Sequence, residues 1–168
     1  MNIVALDLSL TGTGISNNGV TSTVKTKLTD EARLSFIYDA IWDHCWPKTP
    51  DLIVMEGLAY SSVMGKATER AGLWWIVKMG FWHRDVPVAV ITPNARAKFA
   101  TGKGNSGKDE VMLAAALTYP EANIKNNNEA DAQILYAMAK DHYGEPLVPL
   151  PALNKKALDA VQWPDLSI

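Results

Sequence analysis

The chain has 168 residues and a hydrophobic content of 48%, which fits one ordinary domain with its own core and excludes collagen-like, disordered and disulfide-scaffold proteins. Its 16 Lys and Arg against 18 Asp and Glu give a formal charge of −2, so any nucleic-acid site must be a local basic patch. The lone Cys45 and the lack of a leader pattern or a long apolar run predict a soluble, unprocessed, cytoplasmic protein without membrane contact.

The amino terminus predicts the start of a sheet. Residues 2–8 are almost continuously apolar, which is typical of a central strand, and Asp7 lies near the carboxyl end of this run. The dipeptide Asn18-Gly19 is a strong signal for a tight hairpin. We therefore expect strands one to three to form an antiparallel meander.

A helix and a second buried strand should follow. Asp30 can cap the helix, and Pro47 and Pro50 should end it. Residues 51–56 form another apolar run, which closes on Glu56. Two predicted buried strands thus carry an acid at the carboxyl end.

The second half of the chain predicts further alternating elements. These are a helix over residues 66–82, a strand over 87–91, a short helix from Pro93, a helix over 108–119 and a last helix over 128–142. The order predicts an α/β fold with a mixed five-stranded sheet and helices on both faces. Residues 1–143 would form this domain, and residues 144–168 a proline-rich extension with one short helix over 154–161.

Three acids end apolar elements or begin a helix: Asp7, Glu56 and Asp131. Adjacent parallel strands bring their carboxyl ends into one cleft. There, mutual repulsion would raise the pKa values of the carboxyl groups unless a hard cation such as Mg²⁺ bridges them. The alternative is three separate structural roles, as a turn residue, a surface ion pair and a helix cap. The matching positions favour a metal site.

Two polar residues near Asp131 compete for a place at this site. On a helix, Asn128 shares the face of Asp131, whereas Glu129 points about 100° away. Asn128 therefore has the better geometry, but Glu129 is the better ligand and could reach a metal from a frayed first turn. Glu129 could instead only favour the positive end of the helix dipole. The sequence leaves both uses of Glu129 open.

A basic stretch without acids follows the short helix at Pro93. Its cations are Arg96, Lys98, Lys103 and Lys108, and glycines between them allow a backbone to approach a phosphate. This stretch is the candidate DNA-binding patch, and a solvated surface loop is the alternative. Tyr60, in the loop after Glu56, could stack on an unpaired base or simply pack half-buried.

Together these residues resemble a known family. The motifs are Asp7 with Gly14 seven residues on, Glu56 closing a strand, Thr92-Pro93, Gly102-x-Gly104 with Lys108 opening a helix, and Glu129-Ala130-Asp131-Ala132 starting another. In this order and spacing they resemble RuvC-type Holliday-junction resolvases over about residues 1–143. The closest likeness is to the bacteriophage-borne branch of that family.

The resemblance implies an RNase H-like fold and a homodimer that nicks opposed strands of a four-way DNA junction. It implies two Mg²⁺ or Mn²⁺ ions per site and products with 5′-phosphate and 3′-hydroxyl ends. Asp7, Glu56 and Asp131 look like the metal ligands, and Lys108 like the catalytic cation at the scissile region. The fourth ligand of the family falls on Asn128, and Tyr60 lies one place after the family's aromatic wedge.

Other functions share part of this pattern. A broader structure-selective nuclease for flaps and forks would use the same acids, whereas a non-catalytic junction-binding protein would need only the basic stretch. A sugar-kinase-like or actin-like ATPase shares the opening from Asp7 to Gly14 but needs two such domains. For the dimer face, we favour the predicted helix that carries Trp74, Trp75 and Lys78, since two active sites must face opposed strands.

Overall fold

The structure is a computed structural model that describes residues 1–58 and 66–166. Its sheet consists of β1 (Ile3–Asp7), β2 (Thr13–Asn17), β3 (Val20–Val24), β4 (Leu52–Glu56) and β5 (Val88–Ile91). The strand order is β3-β2-β1-β4-β5. β1 pairs antiparallel with β2 and parallel with β4, and β4 pairs parallel with β5. The predicted mixed five-stranded sheet is confirmed.

The helices are α1 (Asp30–Cys45), α2 (Ala67–Trp82), α3 (Pro93–Thr101), α4 (Lys108–Thr118), α5 (Asn127–His142) and α6 (Ala152–Lys155). Short 3-10 turns lie at Pro120–Ala122 and Leu158–Ala160. The cap predicted for α1 is wrong by one residue: Thr29 has the extended backbone of an N-cap, and Asp30 is already the first helical residue. Among the described residues, no helix is long and apolar enough to cross a membrane.

Helices cover both faces of the sheet, as predicted. Because side chains alternate along a strand, Ile3 and Ala5 of β1 pack with α3, α4 and α5, whereas Val4 and Leu6 pack with α1 and α2. All four side chains are fully buried. The sheet is therefore apolar on both faces, and polar side chains on β1 are confined to its carboxyl end.

The hairpin between β2 and β3 shows why this sequence turns where it does. Asn18 has a φ of 49° and Gly19 a φ of 86°. Two successive positive φ values define the tight turn that matches the twist of antiparallel strands, and Asn-Gly is the dipeptide that accepts them most easily. The predicted meander is confirmed.

The carboxyl-terminal extension packs against the core on the α5 side of the sheet. Ala157 and Val161 are buried there, and the Asn154 amide donates a hydrogen bond of 2.9 Å to the carbonyl of Phe99 on α3. The extension forms α6 and a separate 3-10 turn where one helix was predicted. The domain boundary at residue 143 stays a prediction.

Candidate metal centre

Three elements bring the three predicted acids together. Asp7 ends β1, Glu56 ends β4 and Asp131 lies near the start of α5. The parallel pairing of β1 with β4 places the carboxyl ends of these strands side by side. One carboxylate oxygen from each acid lies within 4.8 Å of the others, so the cluster has the size of a metal-ion site.

Glycines in β2 and just before it allow the start of α5 to lie close to the sheet. A Cβ atom on Gly14 would lie 2.0 Å from the main-chain oxygen of Asn128, and a Cβ on Gly12 would lie 2.8 Å from its side-chain nitrogen. Since real Cβ atoms do not come so near to other atoms, any other residue at position 14 would push the start of α5 away. Gly14 therefore helps to hold Asp131 in the cluster.

The cluster is electrostatically unfavourable without cations. Burial, and after it the charges of Glu56 and Asp131, raises the pKa of Asp7 to about 8. Burial also raises the pKa of Asp131 to about 6 and raises the pKa of Glu56. Arg96 and Lys108 lower all three pKa values. Near neutral pH Asp7 thus retains its proton unless further positive charge enters the site.

Arg96 lies inside the cluster. Its Nε donates to a carboxylate oxygen of Glu56, and its Nη1 donates to a carboxylate oxygen of Asp131. Burial alone would lower the pKa of the guanidinium, but the carboxylates of Glu56 and Asp131 raise it. The sequence grouped Arg96 with the DNA-facing cations, and the structure instead pairs it with two of the acids.

A cleft of about 550 Å³ opens above the acids. Lys108, at the start of α4, lines this cleft as predicted, and Arg70 and Trp74 of α2 also line it. The Trp74 indole donates a hydrogen bond of 2.9 Å to the main-chain carbonyl of Glu56. Sequence reasoning missed Arg70 and Trp74 as cleft residues, because the helical pattern of α2 does not reveal which of its faces meets the strand ends.

The two residues that competed near Asp131 have different positions. Asn128 lines the cleft. The Glu129 carboxylate instead accepts hydrogen bonds from the Thr23 hydroxyl, the Asn126 amide and the Lys125 main-chain N–H, at 2.7, 3.0 and 2.8 Å. The Asn126 side chain in turn accepts a 3.1 Å bond from the Glu129 N–H. Glu129 therefore stabilises the start of α5 in a variant of the capping box, in which the carboxylate accepts from the N–H of Lys125 rather than from that of the N-cap Asn126. The structure does not bring Glu129 to the acid cluster.

Of the remaining predicted DNA-binding residues, the structure describes Lys98 and Lys103. Neither residue lines the cleft; Lys98 is half-buried on α3 and Lys103 is exposed in the glycine loop after α3. Tyr60 lies outside the described residues. Of the basic stretch, only Arg96 and Lys108 line the cleft that holds the acids.

A mixed sheet in the order β3-β2-β1-β4-β5, with acids at the ends of β1 and β4, defines the RNase H-like fold in its RuvC form. The Thermus thermophilus RuvC structure matches with a TM-score of 0.64 and 17% identity, over 86% of this chain and 98% of that one. The T. thermophilus RuvC structure in complex with Holliday junction substrate matches with a TM-score of 0.64 and 18% identity, over 88% and 99%.

The amino-acid sequence points the same way. No protein-family model matches the chain. The crossover junction endodeoxyribonuclease RuvC of Chlamydia caviae is 28% identical over 95 residues, 56% of each protein. The RuvC of Salinibacter ruber is 31% identical over 114 residues, 66% of this chain and 63% of the relative. The match thus spans less than two thirds of either relative, and the chain is RuvC-like in both fold and sequence.

Proposed function

We propose that this protein is a RuvC-type crossover junction endodeoxyribonuclease that resolves four-way DNA junctions by paired nicking of opposed strands. The observation that carries the proposal is the convergence of Asp7, Glu56 and Asp131 within 4.8 Å at the strand ends. Similarity to proteins named crossover junction endodeoxyribonuclease supports the reaction and the substrate. The products would carry 5′-phosphate and 3′-hydroxyl ends.

The donor set of the cluster fits Mg²⁺ or Mn²⁺. Carboxylate oxygens are the ligands that these hard cations prefer. Burial, together with the neighbouring carboxylates, raises the pKa values of Asp7 and Asp131, and a bound cation would oppose this rise. Asp7, Glu56 and Asp131 would hold two ions, with the Asn128 amide at the cleft wall as the fourth ligand. When bound, divalent ions activate the attacking water and stabilise the leaving oxygen of the phosphodiester.

The cations of the chain would act on the DNA. Lys108 is exposed at the start of α4 and lines the same cleft as the acids, so its ammonium group would neutralise the charge that develops on the scissile phosphate. Lys98 and Lys103 do not line the cleft. They would instead contact phosphates of the DNA strand further from the scissile one. Tyr60 as the residue that stacks on an unpaired base stays a prediction.

A homodimer would place two such sites on one junction. Exposed apolar side chains of α2 support this assembly, because Trp75 is 54% exposed, Met79 47% and Trp82 68%, and aromatic residues and Met are enriched at protein interfaces. Trp74, which the sequence pattern also places on this face, is only 7% exposed and packs into the core beside the cleft. The proposed dimer face is therefore Trp75, Lys78, Met79 and Trp82.

Two narrower assignments belong to the same proposal. We place the protein in the bacteriophage-borne branch of the family, on the order and spacing of its motifs. We also place it in the cytoplasm of a bacterial cell, where DNA junctions arise. Identification of the genome that encodes the chain would test the first assignment. Fractionation of the host cell would test the second.

The decisive experiment is cleavage of an end-labelled four-way junction by the purified protein with Mg²⁺. A matched duplex, a flap and the Asp7→Asn variant serve as controls. We expect symmetric paired nicks in the junction alone and none with Asp7→Asn, although the variant still binds the junction. Equal cutting of flaps and forks would establish a broader branched-DNA nuclease instead. Full activity of Asp7→Asn, or binding without any cutting, would refute the assignment.

A further inference from the structure

Arg96 binds two of the carboxylates that the proposed metal ions would need as ligands. Its guanidinium is shared between two acids from different elements, Glu56 of β4 and Asp131 of α5. The side chain is only 11% exposed. Arg96 therefore supplies the positive charge that the three acids require in the metal-free protein.

The helix that carries Arg96 is firmly anchored. The Thr92 hydroxyl caps α3 by accepting a 3.2 Å hydrogen bond from the Ala95 N–H, and Pro93 occupies the first turn. Phe99, on the same helix, is buried in the core at 1% exposure. Because the backbone of α3 is fixed in this way, a change in the position of the guanidinium must come from side-chain rotation.

A guanidinium and a divalent cation compete for the same carboxylate oxygens. Two cations held within a few ångströms of each other in a poorly solvated cleft repel strongly, and an oxygen that accepts from Arg96 has fewer lone pairs for a metal. Glu56 and Asp131 should therefore bind a metal less tightly while Arg96 holds one oxygen of each carboxylate. Lys108, which is exposed, does not meet this conflict because it makes no ion pair among the described contacts.

We propose that Arg96 is a tethered counterion that competes with divalent metal for Glu56 and Asp131 and leaves both acids when metal binds. This inference rests on the proposed metal-dependent nuclease function. In the metal-free protein Arg96 neutralises part of the negative charge of the cluster. Once released, its planar guanidinium lies in the cleft that Lys108 also lines, where it suits a DNA phosphate. Arg96 is thus a positioning residue that couples metal binding to the DNA-facing charge of the cleft.

Metal binding without DNA tests this competition. Isothermal titration of metal-free protein with Mn²⁺ at pH 8.5 compares the wild type with Arg96→Gln. Lys48→Gln is the matched control, because it removes the same charge from an exposed residue near the opposite end of β4. We expect Arg96→Gln to tighten Mn²⁺ binding about tenfold, within the usual range for coupled sites, and Lys48→Gln to change it less than about twofold. Unchanged or weaker binding in folded Arg96→Gln would overturn the proposal.

A second measurement does not depend on the stability of that variant. The ¹⁵Nε–¹H resonance of Arg96 in the wild type is assigned by its loss in Arg96→Lys and followed during titration with Mg²⁺. We expect slow solvent exchange of this proton without metal and at least about tenfold faster exchange with metal, since an ion-paired, buried N–H exchanges slowly. A resonance that keeps its shift and its protection at saturating Mg²⁺ would show that Arg96 does not move.

These results are separable from the proposed nuclease function. If the wild type cuts no junction but Arg96→Gln still tightens Mn²⁺ binding, the nuclease assignment fails and the competition stands. If the wild type cuts junctions and Arg96 keeps its pairs with metal bound, the competition fails and the nuclease assignment stands.

Discussion

Polar side chains gather at both ends of the parallel strands β1 and β4, but the two ends satisfy them differently. At the amino end, the Asp51 carboxylate accepts a 2.6 Å hydrogen bond from the main-chain N–H of Asn2. The Asn2 amide donates to the carbonyl of Lys48 at 3.2 Å, and the Asn18 side chain accepts from the N–H of Ile3 at 3.0 Å. Here side chains satisfy main-chain groups that the strand ends leave unpaired.

At the carboxyl end, charged groups meet one another instead of the backbone. Asp7, Glu56 and Asp131 are within 4.8 Å, and Arg96 is paired with two of them. Gathering like charges in a partly buried place costs free energy and contributes nothing that the sheet requires. Such an arrangement is kept where its charges do chemistry.

The comparison therefore separates structural from functional polarity within one pair of strands. A polar side chain whose partners are main-chain groups stabilises the fold, and one whose partners are like charges needs a ligand. The predictions below test whether the two ends respond differently to equivalent changes.

The largest expected effect is a difference between two acids of α5. Asp131 belongs to the cluster of like charges, whereas the hydrogen bonds of Glu129 stabilise the fold. Asp131→Asn should lower junction cleavage by about 10³-fold or more, because metal-ion catalysis contributes several kcal/mol to the transition state. Glu129→Gln should keep cleavage within a few-fold of the wild type and lower the free energy of unfolding by about 1 kcal/mol, through weakened capping bonds. Single-turnover rates and urea unfolding of both variants are the measurements. Equal losses of cleavage in the two variants would remove the distinction.

The sequence could predict the fold and the three acids because both depend on local patterns. Apolar runs of strand length, the Asn18-Gly19 turn and Pro47 after α1 each define an element through its own residues. An acid at the end of a buried run is visible in the same way. The pairing of β1 with β4 is not visible in a local pattern. We inferred it because an α/β order of elements places parallel strands side by side.

The sequence could not predict the direction of Arg96, because the face of α3 that meets the acids is set by how the helix packs in three dimensions. Arg96 lies in the same basic stretch as Lys98 and Lys103, and this grouping indicated a side chain that faces DNA. The role of Glu129 did have a sequence signal that was missed. Asn126 followed by Glu129 three residues later is the spacing of a capping box, and that signal assigns the carboxylate to the helix start.

A second prediction uses pH to measure the electrostatic cost of the carboxyl end. The folded protein raises the pKa of Asp7 to about 8, above the value of about 3.9 in an unfolded chain. The folded state therefore holds a proton that the unfolded state has lost. Stability from this group is complete below about pH 4 and is lost as the pH rises toward 8. Without metal, the free energy of unfolding should fall by up to about 1.4 kcal/mol per pH unit in this window.

Asp7→Asn is the control that assigns this pH dependence, because it removes the titrating group and keeps the shape of the side chain. Urea unfolding in excess chelator at pH 5, 6, 7 and 8 should give a clearly flatter curve for the variant. The variant should also be the more stable protein at pH 8, where the folded wild type must either keep a proton on Asp7 that the unfolded chain has lost or hold an ionised Asp7 beside Glu56 and Asp131. Parallel curves for the two proteins would show that the cluster does not carry the strain that distinguishes this end of the sheet.

The smallest expected effect is at the amino end, where the same Asp-to-Asn change should behave as an ordinary loss of a hydrogen bond. Asp51 is exposed, and its carboxylate accepts from the Asn2 N–H. Asp51→Asn should therefore lower the free energy of unfolding by about 1 kcal/mol and leave junction cleavage and Mn²⁺ affinity unchanged. Its effect on stability should have the same sign at pH 5 and pH 8, whereas that of Asp7→Asn should grow more favourable with pH. A loss of cleavage in Asp51→Asn without a loss of stability would mean that the amino end also takes part in the reaction, and that main-chain partners alone do not mark a polar group as structural.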